Sequence, residues 1–261
     1  MYKFRNLDID RSIHPKERPI EAVNYGGRWL DDEVPGYETL VTTGRHEFTR
    51  QLTTQDRVDD GAIYLSSRLE PRKIEVTFQL KAKTIDEYNE RLGKLEELLF
   101  KPNQPFYFAD DPSFHFIGSA TELSLDQPLL VTTGKFTLEA PDPYRYGPQK
   151  ALTGTGSSVT INDPQLTYDQ TPQRIEFTPT ATVANLAITC GDKTIKLSVG
   201  VPAGQTVIVD FENLNLSINE VDNLMALTLD SNLSDFYIQN GSQIKFNATG
   251  TYKISYEVKQ L

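Results

Sequence analysis

Pro71-Arg72-Lys73-Ile74-Glu75-Val76-Thr77-Phe78-Gln79-Leu80, continued by Lys81-Ala82-Lys83-Thr84-Ile85-Asp86-Glu87-Tyr88, is the stretch that decides the fold class. Ile74, Val76, Phe78 and Leu80 alternate with Lys73, Glu75, Thr77 and Gln79, the period-two pattern of a strand with one buried face. Thr84 follows as an N-cap, with Glu87 three residues on to complete a capping box. Ile85, Tyr88, Leu92, Leu95, Leu98 and Leu99 then recur at spacings of three and four, so they line one face of a helix over about 84–100. Glu90 and Lys94 make a favourably oriented i,i+4 pair on its wet side, and Pro102 and Pro105 stop it. The expected helix–sheet core is Ile74, Val76, Phe78, Tyr88, Leu92, Leu95 and Leu99.

This is the one strong helix signal in 261 residues. The rest reads as strands and turns, so the chain is a mainly β protein whose single helix packs on a sheet. Before the helix, Ile13–Pro19 and Asp31–Gly36 are turn-rich, and Thr43-Gly44 and Asp60-Gly61 mark tight turns. Arg45–Val58 is charged and weakly alternating, with Phe48, Leu52 and Val58 its few apolar residues; it reads as an extended arm or hairpin with little core of its own. After the helix, Phe106–Phe108, Phe114–Ile117, Glu122–Leu125 and Gly134–Ala140 supply further strands.

The run Ala140-Pro141-Asp142-Pro143-Tyr144-Arg145-Tyr146-Gly147-Pro148 ends a first domain at 1–145, since three closely spaced prolines do not fit a central strand. Residues 146–158, ending Thr153-Gly154-Thr155-Gly156-Ser157-Ser158, read as a flexible linker. From 159 to 261 the texture is short strands about ten residues apart: Arg174–Thr178, Leu186–Cys190, Lys193–Val199, Thr206–Asp210, Leu214–Ile218, Phe236–Ile238, Gln243–Ala248 and Tyr252–Val258. Such spacing implies an antiparallel β-sandwich.

Composition narrows the function. The net charge of −10 argues against binding nucleic acid, which needs clustered Lys and Arg. Residues 1–145 carry 19 basic and 25 acidic side chains, leaving 7 and 11 for the remainder, so both signs are about twice as dense in the first half. That mixture suits polar contacts with neighbouring proteins. No apolar run reaches the ~20 residues needed to span a bilayer, and Met1–Asn6 lacks the apolar core of a signal peptide.

Chemistry-bearing motifs are weak. His14, His46 and His115 are isolated, Asp31-Asp32-Glu33 and Asp59-Asp60-Gly61 read as solvated turns, and lone Cys190 sits in an alternating strand as a small buried hydrophobe. The Gly-Thr-Gly-Ser-Ser stretch lacks the ending of a phosphate loop, and there is no nucleophile elbow. The reading is a non-enzyme with no cofactor and no metal.

The order of the elements resembles the distal tail protein family of siphophages infecting Gram-positive bacteria. The resemblance rests on Asp60-Gly61 before Tyr64-Leu65-Ser66-Ser67-Arg68, the strand Arg72–Phe78, Asp86-Glu87-Tyr88 opening the helix, Phe108-Ala109-Asp110-Asp111-Pro112, and Ala140–Gly147. Val209-Asp210-Phe211, Asp235-Phe236 and Gly241–Phe246 extend it; Asn219-Glu220 departs from it where Asn-Gly is common. It implies a β domain with one helix followed by a galectin-like sandwich, and a ring of six copies joining the tail tube to the tail tip. The implied partners are further copies, the tail tube protein, a tail-associated tip protein and receptor-binding proteins, in a virion made in the bacterial host cytoplasm. On that reading Arg45, Phe48, Arg50, Leu52 and Arg57 form the ring-contact arm, and Pro141, Asp142, Pro143, Tyr144 and Tyr146 the domain junction. The alternative is a lectin-like protein binding carbohydrate through the sandwich. Against it, the sole tryptophan, Trp29, lies in the other domain, and residues 152–261 hold one arginine, Arg174, and no histidine.

Overall fold

The computed structural model describes residues 18–126 and 130–261, which divide into one unit running through Arg145 together with Leu261, and a second at Tyr146–Gln260. Expectations for Met1–Asn6, His14 and most of Ile13–Pro19 lie outside the described residues.

In the first unit the elements are β1 (Val23–Tyr25), β2 (Arg28–Trp29), the short helix α1 (Leu30–Glu33), β3 (Tyr37–Thr43), β4 (Arg50–Asp56), β5 (Ala62–Leu69) and β6 (Arg72–Lys81). Helix α2 (Ile85–Leu99) follows, then β7 (Gln104–Phe108), β8 (Asp111–Leu125) and β9 (Val131–Ala140). All pairings are antiparallel. β6 lies between β3 and β9, β9 pairs the second half of β8, and the first half of β8 pairs β7, which pairs β1. One long strand thus serves two sheets, bending at an irregularity between Ala120 and Glu122.

The alternation of β6 is obeyed: Ile74, Val76, Phe78 and Leu80 are fully buried while Lys73 and Lys81 face out. Thr84 caps α2, its hydroxyl accepting the Glu87 N–H at 3.2 Å. The Glu87 carboxylate accepts from Lys83 N–H (2.9 Å), one residue before the cap, and pairs with Arg91 at 3.2 Å, the i,i+4 ion pair that forms on this helix. Lys94, expected to face Glu90, reaches Glu33 instead (3.9 Å). Tyr88, Leu95, Leu98 and Leu99 are buried and Leu92 is half-buried against the same core. Ile85 does not join them: it is 71% exposed, its position lying at the margin of the apolar stripe. Rings fill the interior between the sheets, with Tyr37 stacked on Phe78 (centroids 5.1 Å apart) and Phe106 on Phe116 (5.4 Å).

Asp31, read as part of a solvated turn, is buried. Its carboxylate accepts the Thr39 N–H (2.9 Å) and hydroxyl (2.8 Å), and the Glu21 carboxylate likewise takes the N–H and hydroxyl of Thr42. Among the described residues β3 pairs only with β6, so these side chains satisfy donors on its other edge.

The second unit corrects the linker expectation. Residues 145–160 form one strand, β10 (Arg145–Thr160). Gly154 serves close approach rather than flexibility: a side chain there would meet the Tyr252 hydroxyl at 2.4 Å. Then come β11 (Arg174–Pro179), β12 (Ala187–Cys190), β13 (Lys193–Lys196), β14 (Val207–Asp210), β15 (Asn215–Ile218), β16 (Val221–Asp222) and β17 (Gln243–Gln260). Two expected strands are fused in β17, which runs through Gly250 because a Cβ there would strike Thr178 O and the Phe177 ring. Its first part pairs β12 and its second part pairs β11, so it spans the β16-β15-β14-β11 array and the β12-β13 hairpin. Phe236–Ile238 makes only a bridge, Gln170 to Ile238. Asn219 and Glu220, with φ of 52° and 66°, form the two-residue turn between β15 and β16 that Asn-Gly would form with less strain. Phe177 and Phe246 stack at 4.3 Å in the core.

Asp163 fastens this unit internally, accepting from Lys150 Nζ (2.7 Å) and the Tyr256 hydroxyl (3.1 Å). Burial pulls its carboxyl upward, but the hydrogen bonds from Lys150, the Gln165 amide and Tyr256 outweigh this and hold it below the ordinary carboxylate value. Burial and the Asp163 carboxylate push Tyr256 up to about 12.

Leu95, fully buried under α2, is the position where the helix–sheet interface is most easily tested. Leu95→Asp places an unpaired carboxylate there, at a cost of about 4 kcal/mol or more, and should abolish soluble expression. Wild-type yield with an unchanged melting temperature would show that this face is not buried.

Candidate functional site

The segment read as an arm is a hairpin. Among the described residues β4 and β5 pair only with each other, from Arg50 opposite Leu69 to Asp56 opposite Ala62, and every residue of β4 is exposed. A two-stranded hairpin is marginal in water by itself. Its tip holds Asp59, Asp60 and Gly61, the last at φ 87°, and the Arg57 N–H donates to Gly61 O (3.1 Å). Phe48 and Leu52 are each 57% exposed and Tyr64 61%.

Arg45, expected on the arm's contact surface, instead anchors its root. It is buried, its guanidinium makes a two-pronged pair with Asp110 (3.0 and 2.6 Å), and it lies 4.0 Å from the Phe108 ring centroid. The carbonyl of Arg45 accepts from Arg72 Nη1 at 2.6 Å, while Arg72 Nε donates to Pro143 O at 2.9 Å. Arg72 is buried as well, with its guanidinium 5.5 Å from the Phe116 ring. Desolvation, then the positive charge of Arg145, lowers its pKa. Arg145 completes the row, bonded to Asp111 (2.6 Å) and 4.8 Å from the Phe114 ring. Three arginines over three phenylalanines therefore tie the hairpin root to the start of β6, the β7–β8 turn and the proline-rich bend.

Of the expected arm residues, Phe48, Arg50, Leu52 and Arg57 are exposed, and Arg50 donates to Ser67 Oγ at 3.1 Å. Of the junction residues, Pro141 is exposed, Asp142 accepts the Tyr144 N–H (3.1 Å), Pro143 bonds Arg72, and Tyr146 lies in β10 with Lys259 Nζ 5.0 Å from its ring. Asp110 and Asp111 were legible as a turn but not as partners for Arg45 and Arg145, from which they are 65 and 34 residues distant.

No group of three or more His, Cys, Asp or Glu among the described residues could hold a metal. Burial raises the Cys190 thiol, which donates to Tyr237 O (3.3 Å), and lowers the His115 imidazole. No described helix is long and apolar enough to cross a membrane. The second unit carries an open polar cleft of about 630 Å³, lined by Asp169, Asp192, Lys193, Asn240, Lys245 and the half-exposed Tyr237.

The described residues form a β domain with one long packed helix and an outlying hairpin, and a second, mainly β unit; the family models they match are those of phage tail components. Residues 38–177 match the phage tail protein RIFT-related domain, and residues 167–259 the siphovirus-type tail component C-terminal domain. The chain belongs to the siphophage distal tail protein family. It is 24% identical over 200 residues to the distal tail protein of Bacillus phage SPP1, covering 74% of this chain and 78% of that one. The crystal structure of the SPP1 protein, described as a paradigm of the hub of the adsorption apparatus in phages infecting Gram-positive bacteria, superposes with a TM-score of 0.78. That match has 18% identity and covers 92% of this chain and 99% of that one. The phage P2 baseplate in its activated conformation gives a lower TM-score of 0.45 at 7% identity, over 85% and 90% of the two chains.

The Arg45–Asp110 pair should prove to be the fastening of the hairpin root. In a cycle of Arg45→Met, Asp110→Asn and the double variant, urea denaturation should give a coupling of about 1.5–3 kcal/mol. A coupling near zero would mean that the root is held by the Phe108 contact and the Arg72 bond alone.

Proposed function

We propose that the chain is the hub of a siphophage tail tip, six copies closing a ring that joins the tail tube to the baseplate and its adsorption proteins. The observation that carries this is the β4–β5 hairpin: an exposed pair of strands fastened at its root by Arg45 and covered by nothing among the described residues. Family membership and the hub description of the SPP1 relative support it. The first unit supplies the ring contacts through Phe48, Arg50, Leu52 and Arg57. The second unit, taken as galectin-like, presents a surface to tail-tip or receptor-binding proteins. The tube and tip proteins are the remaining partners, the site of action is the virion tail, and the role is structural and non-catalytic.

Light scattering on the purified chain should give about six chain masses, with closed rings in electron micrographs. A monomer that persists at high concentration would overturn the ring.

A lectin reading has one observation in its favour, the cleft beside Tyr237. Sugars stack on aromatic faces, and this cleft offers a single tyrosine ring. Calorimetric titration of the full chain with cell-wall saccharides should therefore show no saturation. Saturable binding that Tyr237→Ala removes would replace the scaffold role of the second unit with recognition of carbohydrate.

A further inference from the structure

Two carboxylates of the second unit share a single amide group. Gln173 Nε2 donates to Glu212 Oε1 (2.9 Å) and to Glu257 Oε2 (3.3 Å), which brings the two carboxylates within about 6 Å of each other. The amide is fixed in this orientation from its other end, where Gln173 Oε1 accepts from Gln149 Nε2 at 2.9 Å. Glu212 belongs to the turn between β14 and β15, Glu257 to the end of β17, Gln173 to the approach to β11, and Tyr146 to the start of β10, so four elements converge here. With Phe211 and Lys259 these residues line an open cleft of about 210 Å³.

Two like charges at this separation repel, and one shared amide leaves most of their acceptor positions to water. Across the cleft Glu257 faces Glu212, and on its own strand Lys259, whose ammonium lies 5.0 Å from the Tyr146 ring. Arg174, next to Gln173, is turned elsewhere: its Nε lies 3.4 Å from Glu176 and its charge acts on Asp210. Burial, then the Glu212 charge, raise the Glu257 carboxyl above its ordinary value, against the opposing pull of Lys259.

We propose that Glu212, Gln173 and Glu257 form a proton-operated clasp. At neutral pH both carboxylates are ionised, and their repulsion holds the β14–β15 turn away from the end of β17. In weak acid Glu257 takes one proton from solvent and donates it in a hydrogen bond to the Glu212 carboxylate. Attraction replaces repulsion, and the cleft narrows. No other bond is made or broken. Because folding raises the proton affinity of Glu257, the stabilisation is complete below the ordinary glutamate value and is lost as pH rises through the raised one. Burial pulls the Asp163 and Asp210 carboxyls upward, but their hydrogen bonds outweigh it and hold both low. Those two weaken the fold only at more acid pH, so the trends separate.

The test is to melt the full chain, its Glu257→Gln and Glu212→Gln variants and the double variant between neutral pH and weak acid. At neutral pH each single variant should raise the melting temperature by about 1–3 °C, a range kept small by solvent screening. The double variant should gain no more than the better single one, because either change removes the same repulsion. In weak acid, where the wild type has taken up its proton, the advantage should vanish. Amide exchange over residues 211–214, corrected for its intrinsic pH dependence, should slow several-fold on acidification of the wild type and not of Glu257→Gln. A loss of stability in either single variant at neutral pH, or additive gains in the double, would overturn the clasp. So would an advantage that persists in weak acid, or wild-type exchange that acidification leaves unchanged.

Discussion

Two buried guanidinium groups hold the exposed part of the first unit to its covered part. Burying a charge costs several kcal/mol unless its donors are occupied. Arg45 meets this condition with Asp110; Arg72 meets it only in part, giving Nη1 and Nε to the carbonyls of Arg45 and Pro143 while its buried Nη2 has no hydrogen-bond partner. The result is a chain of dependence. The carbonyl that Arg72 binds belongs to the residue whose side chain binds Asp110, so hairpin root, β6 and the proline bend are fixed together. The phenylalanine rings beneath exclude water and strengthen each of these bonds. A hairpin whose root is fixed in this way would lose less freedom on being covered than one on a mobile root.

The same unit manages its sheet edges by electrostatics. An edge strand presents a row of unpaired donors and acceptors that another strand can extend. On β3 the donors of Thr39 and Thr42 are taken by the Asp31 and Glu21 carboxylates. The hairpin is left open by contrast: among the described residues its two strands pair only with each other. Open-ended strand pairing is discouraged at one place while an exposed element is presented at another.

In the second unit, glycines set strand lengths. Gly154 and Gly250 lie in β10 and β17 where a side chain would collide with Tyr252, or with Thr178 and Phe177. The strands run on through them, and the aromatic stack of Phe177, Phe246 and Tyr252 fills the space beside them. Asp163, bonded to Lys150 and Tyr256, ties β10 to β17 across the same unit.

Periodicity along the chain was enough to determine β6 and α2, since the burial of Ile74, Val76, Phe78, Leu80, Tyr88 and Leu95 follows from local geometry alone: alternate residues of a strand share a face, and residues three and four apart share a helix stripe. Local signals also marked the hairpin turn at Asp60-Gly61 and the poverty of apolar residues in the arm. What pairs over long separations was decided only by the tertiary structure. Arg45 read as an exposed contact because its sequence neighbours are polar, yet it turns inward to an aspartate 65 residues on. Gly154 read as flexibility because glycine in isolation is permissive; Tyr252, nearly a hundred residues later, makes it a requirement of packing. Asp31 read as solvated because nothing adjacent explains it, and its partner is the displaced N–H of a bulged strand. Sequence patterns report which face of an element is apolar; they do not report which distant charge or ring that face will meet, because that depends on the arrangement of elements that the faces themselves only jointly specify.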